Sequence, residues 1–340
     1  MNNSFNRRIA AFILLACWGL LYRAETLRAQ SPNMDAARKE GKVVVYGIVV
    51  PQAMAALHKG FEKKYGIRVD YWRGSTTKVM DRALNEWRAA RVGFDVVDGT
   101  QGAQFLMRQE GVFAGYAPPS SRNFPDQFKD KDALITPWRI PPVAVLYNTE
   151  LVAPGEVPRT IDDLLDPKWK KKITMPDPTQ HTSTAQFLWN LRKIKGQGWL
   201  SFVRALAKQE PQLVESYSPV PNALASGQAL VGIAYIKYVK QFKGPIAYAP
   251  MEKYLTEPSY LGLSSKASNP NAARLYIEYA CSPEGQRIVA EDGEFVLYPG
   301  IFPPIKDAEK VGPKIVLMDN ATEEDLKKLS LQFREIFFSK

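Results

Sequence analysis

Between residues 43 and 109, β-branched apolar runs alternate with amphipathic segments, and this alternation restricts the chain to few architectures. Val43–Val49 is a near-continuous apolar run, the pattern of a strand buried on both faces of a parallel sheet. In Pro51–Tyr65 the apolar residues Met54, Leu57, Phe61 and Tyr65 fall on one helical face, and Gly66 closes the segment. Ile67–Trp72 reads as a second strand. Gly74 breaks it, and Ser75 is a good N-cap for a helix to about Arg91, with Val79, Ala83, Trp87 and Ala90 inward. Phe94–Val97 is a third strand, after which Gly99 and Gly102 open another helix. The order β-α-β-α-β-α predicts an α/β, doubly wound unit.

A second unit begins near Pro141. Val143–Tyr147, Lys172–Met175, Gln212–Glu215 and Ala229–Tyr235 read as strands. Thr184–Lys195, Gly198–Lys208 and Pro221–Gly227 read as helices, and Thr160 with Asp163 starts a short one. A proline-rich stretch, Pro245 to Pro258, precedes helices at Asn271–Ala280 and Pro283–Asp292. Thr322–Asp325 is a capping box, and Leu326, Leu329, Phe333 and Phe337 give the last helix an apolar face. At 340 residues the chain has room for two such domains.

The first 29 residues read as a secretory signal and not as part of the fold. Arg7 and Arg8 form a basic start, Ile9 to Leu21 an apolar stretch, and Leu27-Arg28-Ala29 a cleavage site. The expected mature chain starts near Gln30 and works in the periplasm. Leu14-Leu15-Ala16-Cys17 offers a second reading, a lipoprotein box with Cys17 lipidated. Without the signal, 41 basic and 34 acidic residues remain, a net +7. No recognition-helix, RRM or zinc-finger pattern accompanies that charge, so nucleic acid is not the expected partner; attraction of an anionic small molecule fits it. Cys281 is then the one remaining thiol, read as a small buried filler.

In open α/β sheets ligands bind beyond the carboxyl ends of the strands. Those ends carry Tyr46 and Gly47, Arg73 to Thr77, Gly99-Thr100-Gln101-Gly102, Thr179 to Ser183, Ser216-Tyr217-Ser218, and Tyr235 with Tyr238. Several are hydroxyl residues at helix starts, where free N–H groups and the helix dipole favour anions. The candidate ligand-binding set is Tyr46, Gly47, Ser75, Thr76, Thr100, Gln101, Arg139, Thr182, Ser183, Tyr217, Ser218, Tyr235 and Tyr238. Arg73, Arg139 and Lys237 are candidates for the positive charge. Enzyme signatures are nearly absent: the chain has two histidines, His58 and His181, and no P-loop or GxSxG. Ser75 and Lys78 match an isolated S-x-x-K, which makes an exported serine enzyme an alternative reading.

Several segments resemble the extracellular solute-binding proteins of ABC importers, in the cluster containing the ferric-iron-binding proteins. They are Lys42–Gly47, Phe61–Ile67, Arg73–Ser75, Phe94–Val97, Tyr147–Thr149, Asp163-Leu-Leu-Asp-Pro-Lys-Trp-Lys170, Gly227-Gln228 and Ser282-Pro-Glu-Gly-Gln286. The resemblance covers nearly all of residues 36–300. It implies a type II periplasmic-binding-protein fold, two α/β lobes with the ligand between them. One lobe would hold residues 30–140 and 255–340, the other 141–254, with crossings near Trp138–Val145 and Pro245–Gly262. It further implies a monomer without cofactor or catalysis, handing a solute to a membrane permease. The iron-binding relatives use a histidine, a glutamate and a tyrosine pair. Here Val50, Thr100 and Lys237 stand at three of those places and Tyr238 matches the fourth. The expected ligand is therefore a polar or anionic solute with no metal, and ferric iron is the alternative.

Overall fold

The computed structural model describes residues 31–339; the expected signal segment and Cys17 lie outside that range. Helix α1 (Met34–Glu40) leads into β1 (Lys42–Gly47), α2 (Pro51–Tyr65), β2 (Arg68–Arg73), α3 (Thr76–Arg88), β3 (Val96–Thr100) and α4 (Gln101–Gln109). The caps act as the sequence implies: Ser75 accepts from Lys78 N at α3, and Gly66 ends α2 at φ +71°. The three strands pair in parallel in the order β2-β1-β3.

The chain then adds a strand that the periodicity did not reveal, β4 (Ile135–Arg139), and leaves the first sheet through Ile140 and Pro141 into β5 (Pro142–Asn148). The second unit continues with β6 (Ile173–Pro176), α5 (Thr182–Asn190), α6 (Arg192–Lys195), α7 (Trp199–Lys208), β7 (Gln212–Val214), α8 (Val220–Ala225), β8 (Val231–Tyr235) and α9 (Tyr238–Gln241). The proline-rich stretch holds two short strands, β9 (Ile246–Tyr248) and β10 (Tyr254–Thr256). The chain returns through Glu257 and Pro258 into β11 (Ser259–Leu263) of the first sheet. Helices α10 (Pro270–Cys281) and α11 (Pro283–Glu291) cover that sheet, and Cys281 is buried between them as expected.

The first sheet is ordered β2-β1-β3-β11-β4, with β11 antiparallel to both neighbours. The second runs β12-β10-β5-β8-β6-β7, with β9 also on β5, where β12 is Ile315–Leu317. The C-terminal part corrects the sequence expectation. β12 pairs with β10, and the last helix, α12 (Glu323–Phe338), packs on α5 and α7. Asn190 Oδ1 accepts from Asp319 N at 2.7 Å and Ser330 Oγ donates to Thr179 O at 2.9 Å. Residues 315–338 therefore lie on the second lobe and not the first, because the apolar face of α12 is buried there. Three chain passages, not two, link the lobes.

The Ser282–Gln286 motif has a packing explanation. Ser282 caps α11, accepting from Gly285 N at 3.2 Å. A Cβ at Gly285 would lie 2.1 Å from the Tyr279 carbonyl oxygen, so only glycine fits. The buried Gln286 amide donates to Trp138 O and Ala280 O, both at 2.9 Å, and accepts from Leu297 N at 2.9 Å. It thereby ties β4, α10 and the 297 region together.

Candidate functional site

A cavity of about 570 Å³ lies between the two lobes. The first lobe contributes Ser75, Thr76, Thr77 and Met80 from α3 and its cap, and Thr100, Gly102, Ala103, Phe105, Leu106 and Gln109 from α4 and its start. The second contributes Gln180 to Ser183 and Gln186. Glu257 comes from the returning crossing, and Asn320, Ala321, Thr322 and Leu326 from the C-terminal passage. A volume of this size holds a metabolite-sized solute. A smaller cavity of about 220 Å³ is lined only by second-lobe residues, among them Val143, Phe187 and Leu191, and so lies away from the cleft.

Local sequence sets the cleft walls. Pro176 ends β6, and the Asp177 carboxylate then shapes the following turn. Its Oδ1 accepts from Thr179 N at 2.8 Å, and its Oδ2 accepts from Gln180 Nε2 at 3.0 Å. His181 caps α5, its Nδ1 accepting from Thr184 N at 3.3 Å. Burial pushes this imidazole down to about 4, so it enters the cleft neutral. Gly102 brings α4 close to the second lobe: a Cβ there would lie 3.7 Å from Asn320 Oδ1 and 3.8 Å from Gln186 Nε2.

Of the expected ligand residues, Ser75, Thr76, Thr100, Thr182 and Ser183 are brought together in this cleft. Others are placed elsewhere. Tyr46 is buried in the first lobe with Phe94 and Trp72, its hydroxyl donating to Glu86 at 3.0 Å and its ring under Arg82. Gly47 faces the Tyr71 ring, where a Cβ would lie 2.5 Å from the hydroxyl oxygen. Gln101 is buried beneath the cleft floor. Ser218 is exposed on a turn. Arg73 is exposed at the end of β2 and does not line the cavity.

Arg139 is 4% exposed and engaged with carboxylates, 3.4 Å from Glu294 and 3.8 Å from Asp98. Lys237 Nζ lies 2.6 Å from the same Glu294 oxygen. Burial alone would raise Glu294, yet Lys237 and Arg139 beside it hold it below the usual carboxylate range. Both cations expected to meet an anion are thus spent on internal partners.

Tyr217, Tyr235 and Tyr238 form an aromatic ladder behind His181. Ring centroids step from His181 to Tyr217 at 4.9 Å, to Tyr235 at 4.6 Å and to Tyr238 at 6.2 Å. Burial pushes the three phenols up, so they are protonated at neutral pH. The ladder supports His181 and does not itself line the cavity.

Sequence reasoning missed Glu257, Gln186, Phe105 and the Asn320–Leu326 wall. Glu257, between Thr256 and Pro258, gave one signal, an acidic residue at the end of the proline-rich stretch where the chain crosses back to the first lobe.

A cavity fed by loops of two α/β lobes, with the crossing strands at its base, is the geometry of a solute-capturing protein. Residues 93–316 match the family of bacterial extracellular solute-binding proteins. The chain belongs to that family. An uncharacterised Haemophilus influenzae protein is 24% identical over 279 residues, 76% of this chain and 78% of that one. Among solved structures, an ABC-transporter substrate-binding protein from Agrobacterium tumefaciens aligns with a TM-score of 0.76 at 16% identity, covering 90% of this chain and 97% of that one. Iron-bound HitA from Pseudomonas aeruginosa aligns with a TM-score of 0.70 at 17% identity over 87% and 99% of the two chains. AfuA from Actinobacillus pleuropneumoniae, bound to fructose-6-phosphate, aligns with a TM-score of 0.68 at 21% identity over 87% and 96%. Iron-bound HitA and fructose-6-phosphate-bound AfuA thus share one fold while holding unlike ligands.

Proposed function

We propose that this solute-binding protein is the periplasmic capture component of an ABC importer: it takes a small polar solute into the interlobe cleft and presents it, as a monomer, to a membrane permease. The observation that supports this most directly is the 570 Å³ cavity walled by both lobes and floored by a crossing segment. The work is binding and lobe closure with no covalent step. Ser75, the nucleophile of the alternative enzyme reading, serves as the cap of α3, and its spacing to Lys78 follows from that cap. The cleft hydroxyls suit a polar ligand. Arg139 and Lys237 are bound to Glu294, so neither of these two cations is free to meet an anionic ligand.

A thermal-unfolding screen against small solutes tests the reading, because a ligand bound only by the native state raises the Tm. The expected result is a saturable upward shift accompanied by compaction in small-angle scattering. Turnover of a hydrolysable substrate, lost in Ser75→Ala, would overturn it in favour of an enzyme.

A further inference from the structure

We propose that Glu257 is the carboxylate that reads the ligand, and that the solute carries a positively charged group, ammonium or guanidinium in type, on a partly apolar body. This rests on the reading of the cleft as the solute site. Glu257 lines the cavity and is 4% exposed. Its contacts are long: Oε1 accepts from Gly102 N at 3.5 Å and Oε2 from Ser183 Oγ at 3.5 Å. Both sit at the weak end of hydrogen bonding, and no cation faces the carboxylate among its partners.

Among the described residues, no lysine or arginine lines the cavity, and Glu257 is the one acidic residue that does. His181 is neutral there. Burial raises Glu257, and the groups that offset this are the Gly102 amide and the Thr100, Ser183 and Gln186 side chains, none of them cationic. A buried carboxylate without a cation is costly to ionise, and a cation brought by the ligand offsets that cost. An anion in the same place would meet the carboxylate with nothing to balance it. Met80, Phe105, Leu106 and Leu326 supply apolar wall for the rest of the molecule. Ser75, Thr76 and Thr182 remain for its polar end.

The experiment is a charge-sorted panel: alkyl diamines, quaternary ammonium and guanidinium compounds, their neutral alcohol analogues, and small carboxylates and phosphates. Thermal unfolding of the purified chain identifies binders, and calorimetry then compares the native chain with Glu257→Gln and Glu257→Asp. The expected binders are cations, weakened about 30- to 100-fold in Glu257→Gln and less in Glu257→Asp, which keeps the charge. Should Glu257→Gln not fold, the charge preference of the native chain carries the comparison, and neutral alcohol analogues that bind as tightly as the matching cations overturn the proposal. A cation that binds Glu257→Gln as well as the native chain overturns it too. If neutral or anionic solutes bind instead and Phe105→Ala weakens them, the Glu257 assignment fails while the cleft reading stands. If no solute of any charge shifts the Tm, both fail together.

Discussion

Lys237 Nζ and Glu294 Oε1 lie 2.6 Å apart, and the pair joins the two lobes. Lys237 follows β8 on the second lobe, whereas Glu294 follows α11 on the first. Beside it, Gln241 Nε2 donates to Asp292 Oδ2 at 2.8 Å, and Gly293, at φ +97°, lets the backbone pass within reach of Lys237 O and Lys240. The cation that the sequence offered to a ligand is thus a seam between lobes, and the basic surface charge of the chain does not extend into its cleft.

Removing Glu294 should therefore strand two cations. Glu294→Ala is expected to lower the unfolding free energy by about 3–5 kcal/mol, because Arg139 is left buried without its nearest carboxylate. Lys237→Met should cost far less, since Glu294 retains Arg139. Urea denaturation of both variants checks the order, and equal losses would contradict it.

Gln286 should be irreplaceable even by a side chain of its own length. Gln286→Met removes the partner of Trp138 O, Ala280 O and Leu297 N in a fully buried setting. A loss of about 2–4 kcal/mol is expected in denaturant melts, from unpaired buried backbone groups.

Both described histidines predict an acid-sensitive fold. Burial lowers His58 and His181 from an ordinary value near 6.5 to about 4. Between those values the unfolded chain binds protons that the folded chain refuses, so their contribution is fully present above pH 6.5 and is lost as pH falls toward 4. Denaturant melts at pH 7, 5.5 and 4.5 should show stability falling with pH, and His58→Gln should flatten that slope. An unchanged slope in the variant would show that His58 does not contribute.

Core tyrosines should separate cleanly from cleft aromatics. Phe105→Ala is expected to weaken the solute found in the screen about tenfold, through lost apolar wall. Tyr46→Phe should leave that affinity unchanged, since its hydroxyl meets Glu86 inside the first lobe. Calorimetry on both variants is the check.

The parallel core of the first lobe was legible because β1, β2 and β3 carry their own signal, local apolar runs between capped helices. The strands β4, β10, β11 and β12 were not. They are three to five residues long and find their partners far along the chain, so no local period marks them. The Asp163–Lys170 segment was noticed as a motif, and the structure gives its reasons. Asp163 closes a capping box with Thr160, Asp166 accepts from Lys168 N at 2.9 Å, and Trp169 is 3% exposed. The hydroxyl half of the cleft was visible as helix caps. Its charge was not, because whether Arg139 is free depends on Glu294, a residue the sequence places on another element.

The insertion of β11 between β3 and β4 has a consequence for the order of assembly. As the chain is made, β3 keeps a bare edge and β4 has no strand beside it until residues 259–263 exist. By then β5, β6, β7, β8 and β9 have all been synthesised. The first lobe is thus begun first, yet its sheet is completed only after the central strands of the second are available. Such distant pairing slows folding and leaves an open strand edge exposed to other chains in the meantime.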